Sequence, residues 1–155
     1  MKAVIQRVTS ATVYADGAFS GQAAKGLLVL LGVAQGDTEE DALLLADKIA
    51  RLRIFTDEND KMNLSVQDVG GEALVVSNFT LNANYRHGNR PDYMQSASPD
   101  EANRLYEHFV SLMAARVSHV GHGKFGASMK IDMQADGPVT IVMDSLCLRK
   151  GAPKQ

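Results

Sequence analysis

Leu27-Leu28-Val29-Leu30-Leu31-Gly32-Val33 carries no polar side chain. The run is far short of the ~20 apolar residues that cross a bilayer. A strand with one wet face alternates apolar and polar residues; one that is apolar throughout must be covered on both faces. The chain therefore needs a packed layer on each side of this strand. Its 155 residues can supply that in one domain, 1–155. A hydrophobic share of 45% and a charged share of 22% are ordinary for a soluble globular protein.

The rest of the pattern supplies the layers. Ala3–Val8 and Ala11–Tyr14 read as strands, Asp16-Gly17 as a hairpin turn, and Ala18–Gln22 as the returning strand. Thr38 caps a helix over Glu39–Leu52, with Asp41 placed for a box-like exchange and Ala42, Leu45, Ala46, Ile49 and Leu52 on one face. Arg53–Thr56 and, after Gly70-Gly71, Ala73–Ser77 return to strand. Asn82–Ala97 lacks periodicity, and a loop of that length is functional or disordered. Ser98-Pro99-Asp100-Glu101 opens a second amphipathic helix with Ser98 as cap and Glu101 placed for a capping box. Met129–Met133 and Val139–Met143 read as paired strands joined around Gly137-Pro138. The class is α+β: one domain, mostly antiparallel, with two main helices packed on strands.

Composition narrows the chemistry. A net charge of −2 argues against a broad basic surface coating nucleic acid, though not against gripping one end of an RNA. Met1-Lys2 runs straight into a strand pattern, so no signal peptide is expected. The single cysteine, Cys147, reads as a small strand residue and suits a reducing, cytoplasmic setting. His87, His108, His119 and His122 form no metal-binding signature, and no P-loop or G-x-S-x-G elbow is present. Neither metal nor cofactor is expected. An enzyme built this way must work through main-chain groups, bound water and its substrate.

Two stretches attract chemistry. Ser77-Asn78-Phe79-Thr80-Leu81 closes an apolar strand with two hydroxyls. Thr80 reads as a β-branched strand residue, as a nucleophile, or as a backbone N–H donor; without an accompanying base the donor role is favoured. Asp136-Gly137-Pro138-Val139-Thr140 combines the residue with the freest backbone and the one residue type that admits a cis bond. In isolation it reads as a tight turn.

Taken in order, these blocks resemble the D-aminoacyl-tRNA deacylase (D-Tyr-tRNA deacylase) family. They are Ala3–Val8, Gly26–Val33, Arg53-Ile54-Phe55 with Lys61-Met62-Asn63-Leu64, Ser77–Leu81, Phe125-Gly126-Ala127-Ser128-Met129 and Gly137–Thr140. The likeness runs from Met1 to about Met143 and leaves 144–155 as a tail. Asn78 stands where the family usually has Gln, and Ala135 where it usually has Asn. The resemblance implies a deacylase-type barrel-like fold and a homodimer with active sites near the interface. It implies cleavage of the ester of D-aminoacyl-tRNA, and of glycyl-tRNA, at the 3′-terminal adenosine. Ser77, Phe79 and Thr80 would form the catalytic stretch, with the RNA 2′-OH activating water. Asn78 joins them at the substrate. Phe125 and Met129 would line the adenine pocket, although core packing is their ordinary role. Gly137 and Pro138 would reject L-amino acids in the partner's site, steadied by Arg7. Arg86, His87 and Arg90 either touch phosphates or lie in a solvated loop. A hydrolase of another small acyl ester and a noncatalytic dimeric binder of adenosine-terminated RNA stand as alternatives.

Overall fold

The computed structural model describes residues 1–152. Its seam is β1 (Lys2–Ala15), a single strand where two had been expected. The first half of β1 pairs antiparallel with β3 (Gly26–Gly32) and the second half with β2 (Ala18–Ala23). β8 (Met129–Asp144) runs antiparallel along the opposite edge of β1. β6 (Glu72–Ser77) adds to β3 in parallel, and β7 (Val120–His122) adds to β6 in parallel. The order β2-β1-β3-β6-β7 then curls, bringing β7 back beside β2. There the Ser20 hydroxyl donates to the His122 carbonyl at 3.0 Å. A Cβ on Gly121 would strike the Gln22 backbone, so glycine permits this approach. The result is the barrel-like, largely antiparallel α+β architecture expected, with two parallel pairings within it. A short hairpin, β4 (Phe55–Thr56) and β5 (Met62–Leu64), lies apart.

β3 meets the demand its sequence made. Leu27, Val29 and Leu31 face a large core shared with both helices, while Leu28 faces a second cluster with Val8, Ala11, Val13, Leu74 and Val76. Each fully buried Leu or Ile contributes roughly 1.5–3 kcal/mol. Helix α1 (Glu39–Ala50) buries Ala42, Leu45, Ala46 and Ile49, and α2 (Pro99–Ala114) buries Leu105, Tyr106, Phe109 and Met113. At the start of α1 the Asp41 carboxylate accepts from the Thr38 N–H at 2.8 Å and the Thr38 hydroxyl at 3.1 Å. No helix among the described residues is long and apolar enough to cross a membrane.

Several expectations require correction. Met129–Met133 and Val139–Met143 do not pair with each other; they are the two ends of one strand, β8, laid along β1. Gln6 pairs with Thr140 and Val8 with Ala135, so residues 136–139 bulge opposite Arg7 alone. Proline has no N–H to give a ladder, and a bulge is where a strand accommodates it. The capping box at Ser98 does not form, because the Glu101 carboxylate is drawn into a two-pronged pair with Arg104 at 2.8 and 3.0 Å. Cys147 lies in a one-turn 3-10 helix (Ser145–Cys147), not a strand. Thr80 likewise belongs to a 3-10 turn (Phe79–Asn82), which ends the strand reading of that residue.

The tail packs onto the body. Ser145 N–H donates to the Met1 carbonyl at 2.8 Å. Arg149 grips the Asp41 carboxylate with two bonds, at 2.7 and 2.9 Å. Burial alone would push that carboxyl up. The bonds from Arg149, the Thr38 N–H, Ser145 and the Thr38 hydroxyl outweigh it, holding Asp41 well below the usual carboxylate range. Residues 153–155 of the expected tail lie outside the described residues.

Candidate active site

β3 and β6 run parallel and end together, and a cleft of about 480 Å³ opens at their carboxyl ends. Leu31 and Val33 come from the end of β3, and Ser77, Asn78 and Phe79 from the end of β6. The first turn of α2 contributes Pro99 and Ala102, with Tyr106 one turn deeper. The segment between β7 and β8 contributes Phe125, Gly126 and Ala127, and Met129 opens β8. Tyr93 and Ser96 of the long loop close the remaining side.

The lining is mostly apolar, with a few fixed polar groups, as a small-molecule pocket requires. Phe79 is 58% exposed at the mouth and meets Tyr93 edge-on, ring centroids 5.0 Å apart. Tyr106 and Phe125 form a second aromatic pair at 6.1 Å. The Tyr106 hydroxyl lies 3.0 Å from the Val75 carbonyl and 3.1 Å from that of Gly123, tying α2 to β6 and to the end of β7. Burial pushes this phenol's pKa up, so it stays a neutral donor. Asn78 N–H donates to the Leu31 carbonyl at 2.7 Å, fixing the departure of the chain from β6. Its side-chain carbonyl accepts from the Thr80 hydroxyl. Phe79 and Thr80 open the 3-10 turn, where N–H groups have no carbonyl of a preceding turn to bond.

Five of the sequence-derived candidates, Ser77, Asn78, Phe79, Phe125 and Met129, thus meet at one cleft. Thr80 stands beside it with its hydroxyl turned to Asn78. Gly137, Pro138 and Arg7 are not part of the cleft in this chain. Gly137-Pro138 is a cis peptide at the exposed tip of the β8 bulge, and Gly137 has φ +123°. A Cβ there would come within 2.9 Å of the Val139 nitrogen, in a backbone region L-residues rarely enter. Arg7, which by itself reads as a strand-edge charge, is 9% exposed beneath the bulge. It donates to the Ile54 carbonyl at 2.7 Å and to the Asp136 carbonyl at 3.2 Å, and its Nε lies 3.1 Å from the Asp136 carboxylate. Ala135 pairs with Val8 at the foot of the bulge. The reading from sequence missed Tyr93 and the wall-bracing hydroxyl of Tyr106. The first sits in the aperiodic stretch, and the second is indistinguishable in pattern from a core helix residue.

A family model for D-Tyr-tRNA(Tyr) deacylase matches residues 4–144. A D-aminoacyl-tRNA deacylase from Ruegeria pomeroyi is 55% identical over 144 residues, covering 93% of this chain and 99% of the relative. One from Thermosipho melanesiensis is 51% identical over 146 residues, covering 94% and 97%. Among solved structures, one titled c-Myc DNA Unwinding Element Binding Protein superposes with a TM-score of 0.87 at 39% identity, covering 93% of this chain and 98% of its own. A probable eukaryotic D-amino acid tRNA deacylase superposes with a TM-score of 0.77 at 15% identity, covering 92% and 97%, a likeness of fold alone. Blocks met in order along the sequence, a cleft that gathers most of them, and half-identity over nearly the full length of both chains agree: the chain belongs to the D-Tyr-tRNA(Tyr) deacylase family.

Proposed function

We propose that this protein is a homodimeric hydrolase that cleaves the ester of D-aminoacyl-tRNA, and of glycyl-tRNA, and spares L-aminoacyl-tRNA. The observation that carries the reading is the convergence of Ser77, Phe79, Phe125 and Met129 on one aromatic-walled cleft in a chain of this family. The cleft suits a terminal adenosine: Phe125 offers a ring face and Met129 a polarizable sulfur to a purine. An aminoacyl ester is already activated, so hydrolysis needs a positioned water and donors for the developing oxyanion. The N–H groups of Phe79 and Thr80 serve as those donors, and the ribose 2′-OH helps activate the water. Ser77 shapes the ester site, and Asn78, engaged by Thr80, holds the turn.

The Gly137-Pro138 bulge supplies the stereochemical wall. With the amino group and the ester carbonyl fixed, exchanging hydrogen for side chain at the α-carbon drives the L form into main-chain atoms and leaves the D form room. Exclusion of this kind discriminates more strongly than a small added attraction. Glycine, without a side chain, is not excluded. The bulge lies away from the cleft of its own chain, which favours its entering the cleft of a second copy. β8 supports that arrangement, since among the described residues it pairs only with β1 and presents Val142 (75% exposed) to solvent.

The test is hydrolysis of D-Tyr-tRNA and L-Tyr-tRNA side by side. Rapid release from the D ester alone is expected, and equal release from both defeats the wall. Replacing the terminal 2′-OH by hydrogen should abolish turnover. Retention of charged tRNA without release of amino acid would make the protein a binding module.

A further inference from the structure

We infer that the loop 85–91 is a phosphate-gripping arm that holds the RNA strand just behind the aminoacylated end. The inference rests on the deacylase reading for its substrate, but on separate residues. The loop is pinched at its base: Asn84 and Asp92 exchange both backbone hydrogen bonds, at 2.8 and 3.0 Å. Asp92 is the only carboxylate between residues 84 and 95. Both its oxygens are spent locally, one on the Asn84 amide at 3.0 Å and the other on the Met94 N–H at 3.2 Å. Arg86 and Arg90 therefore project from the tip with no acid of their own loop to neutralise them. Among the described residues the ion-paired arginines are Arg7, Arg104, Arg116 and Arg149; these two are in no pair. Tyr85 beside them is 79% exposed.

In a chain of net charge −2, two unpaired guanidiniums on one arm form a local anion-recognising surface. The arm's position selects the anion. Residue 93, directly after the pinch, is the Tyr93 that walls the cleft and packs on Phe79. A loop of this length reaches about 12 Å at most from its base. An RNA whose last nucleoside sits in the cleft must carry its phosphates out past this rim. An acidic protein would need a second reason to be there.

Salt titration separates the arm from the cleft. For R86A/R90A, uncharged tRNA should bind about ten-fold more weakly at 50 mM salt, with a log–log salt slope shallower by roughly 2. The KM for D-Tyr-tRNA should rise in step while kcat holds. D-tyrosyl-adenosine, which has no phosphate, should be turned over as by wild type. R86K/R90K should recover most of the binding. A Kd and slope equal to wild type overturn the inference. So does an equal loss on tRNA and on D-tyrosyl-adenosine, or a change confined to subunit association. Should wild type cleave neither ester, the deacylase reading has failed, and binding of uncharged tRNA still decides the arm.

Discussion

The cleft at the ends of β3 and β6 and the bulge in β8 are held in place by different means. The cleft is assembled from segments far apart in the chain, each anchored by buried neighbours such as Leu31, Ala102 and Tyr106. The bulge is four consecutive residues, 136–139, exposed at the tip and resting on the guanidinium of Arg7. A container of distributed parts tolerates the loss of any one bond; a projecting wall with one prop does not. The comparison separates two properties of the proposed enzyme. Turnover should follow the cleft, and stereochemical discrimination should follow the prop.

Arg7→Ala should have the largest effect on discrimination. It strips the Ile54 carbonyl of its buried donor and releases Asp136, and a buried acceptor left unsatisfied costs about 1–3 kcal/mol. The ratio of D- to L-Tyr-tRNA hydrolysis should fall at least roughly ten-fold, the equivalent of 1.4 kcal/mol of positioning. Arg7→Lys should not restore it, because one ammonium cannot span both Ile54 and Asp136 as the fork does. A variant that stays folded and keeps its discrimination would break the comparison, leaving the bulge self-supporting.

The far end of β8 offers a second handle. Arg149 binds Asp41 just beyond the strand and fastens the tail to the start of α1. Asp41 titrates lower in the folded chain than in the unfolded one, where an aspartate sits near pH 3.9. The clamp therefore stabilises fully above that pH and is lost as pH falls through the lowered folded value. Arg149→Ala removes the foremost bond offsetting burial, so the midpoint of acid unfolding should move to higher pH. An unchanged midpoint in a pH titration of circular dichroism would show that the tail contributes nothing to the fold.

Tyr106→Phe addresses the cleft alone. Both carbonyls near the hydroxyl keep another donor: Val75 accepts from the Gly123 N–H at 2.9 Å, and Gly123 from His122 Nδ1 at 3.0 Å. The loss should stay near 1 kcal/mol. KM for D-Tyr-tRNA should rise a few-fold, with the D/L ratio unchanged. A fall in that ratio would mean that cleft and wall are not independent.

The two regions also differed in how far the sequence disclosed them. A continuous apolar run placed β3 and period-3.6 patterns placed α1 and α2, because burial on both faces leaves no polar position and burial of one helix face imposes that period. The cleft has no period of its own. Tyr93 and Ser96 line it from a stretch without pattern, held by long-range contacts: Tyr93 packs on Phe79, Ser96 bridges Ala34, and the Ala97 N–H donates to the Val33 carbonyl at 3.1 Å. Gly137-Pro138 stood out as a dipeptide, yet the same dipeptide invited a hairpin. Only the pairing of Gln6 with Thr140 and of Val8 with Ala135 shows one strand carrying a bulge. Arg7 by its own pattern reads as a strand-edge charge, and only the resemblance tied it to the Gly137-Pro138 loop. Its burial follows from acceptors at Ile54 and Asp136, 47 and 129 positions away. Contacts at that separation leave no local trace.

Thr80→Ala should have the smallest effect, and it divides the candidate mechanisms. The hydroxyl donates to the Asn78 side chain and does not line the cleft. Among the described residues no histidine or carboxylate accepts its proton, and an unactivated hydroxyl is a poor nucleophile. If the donors are N–H groups, alanine preserves them, and kcat on D-Tyr-tRNA should stay within about three-fold, the change permitted by about 0.5 kcal/mol, the low end of a neutral hydrogen bond's net contribution. Proline at the same position would remove the N–H while also leaving no hydroxyl. It should cost far more than alanine, on the order of the 10²–10³-fold lost with one oxyanion donor. A collapse of activity in Thr80→Ala, in a chain that still folds, would put the chemistry on the side chain and take it away from the backbone.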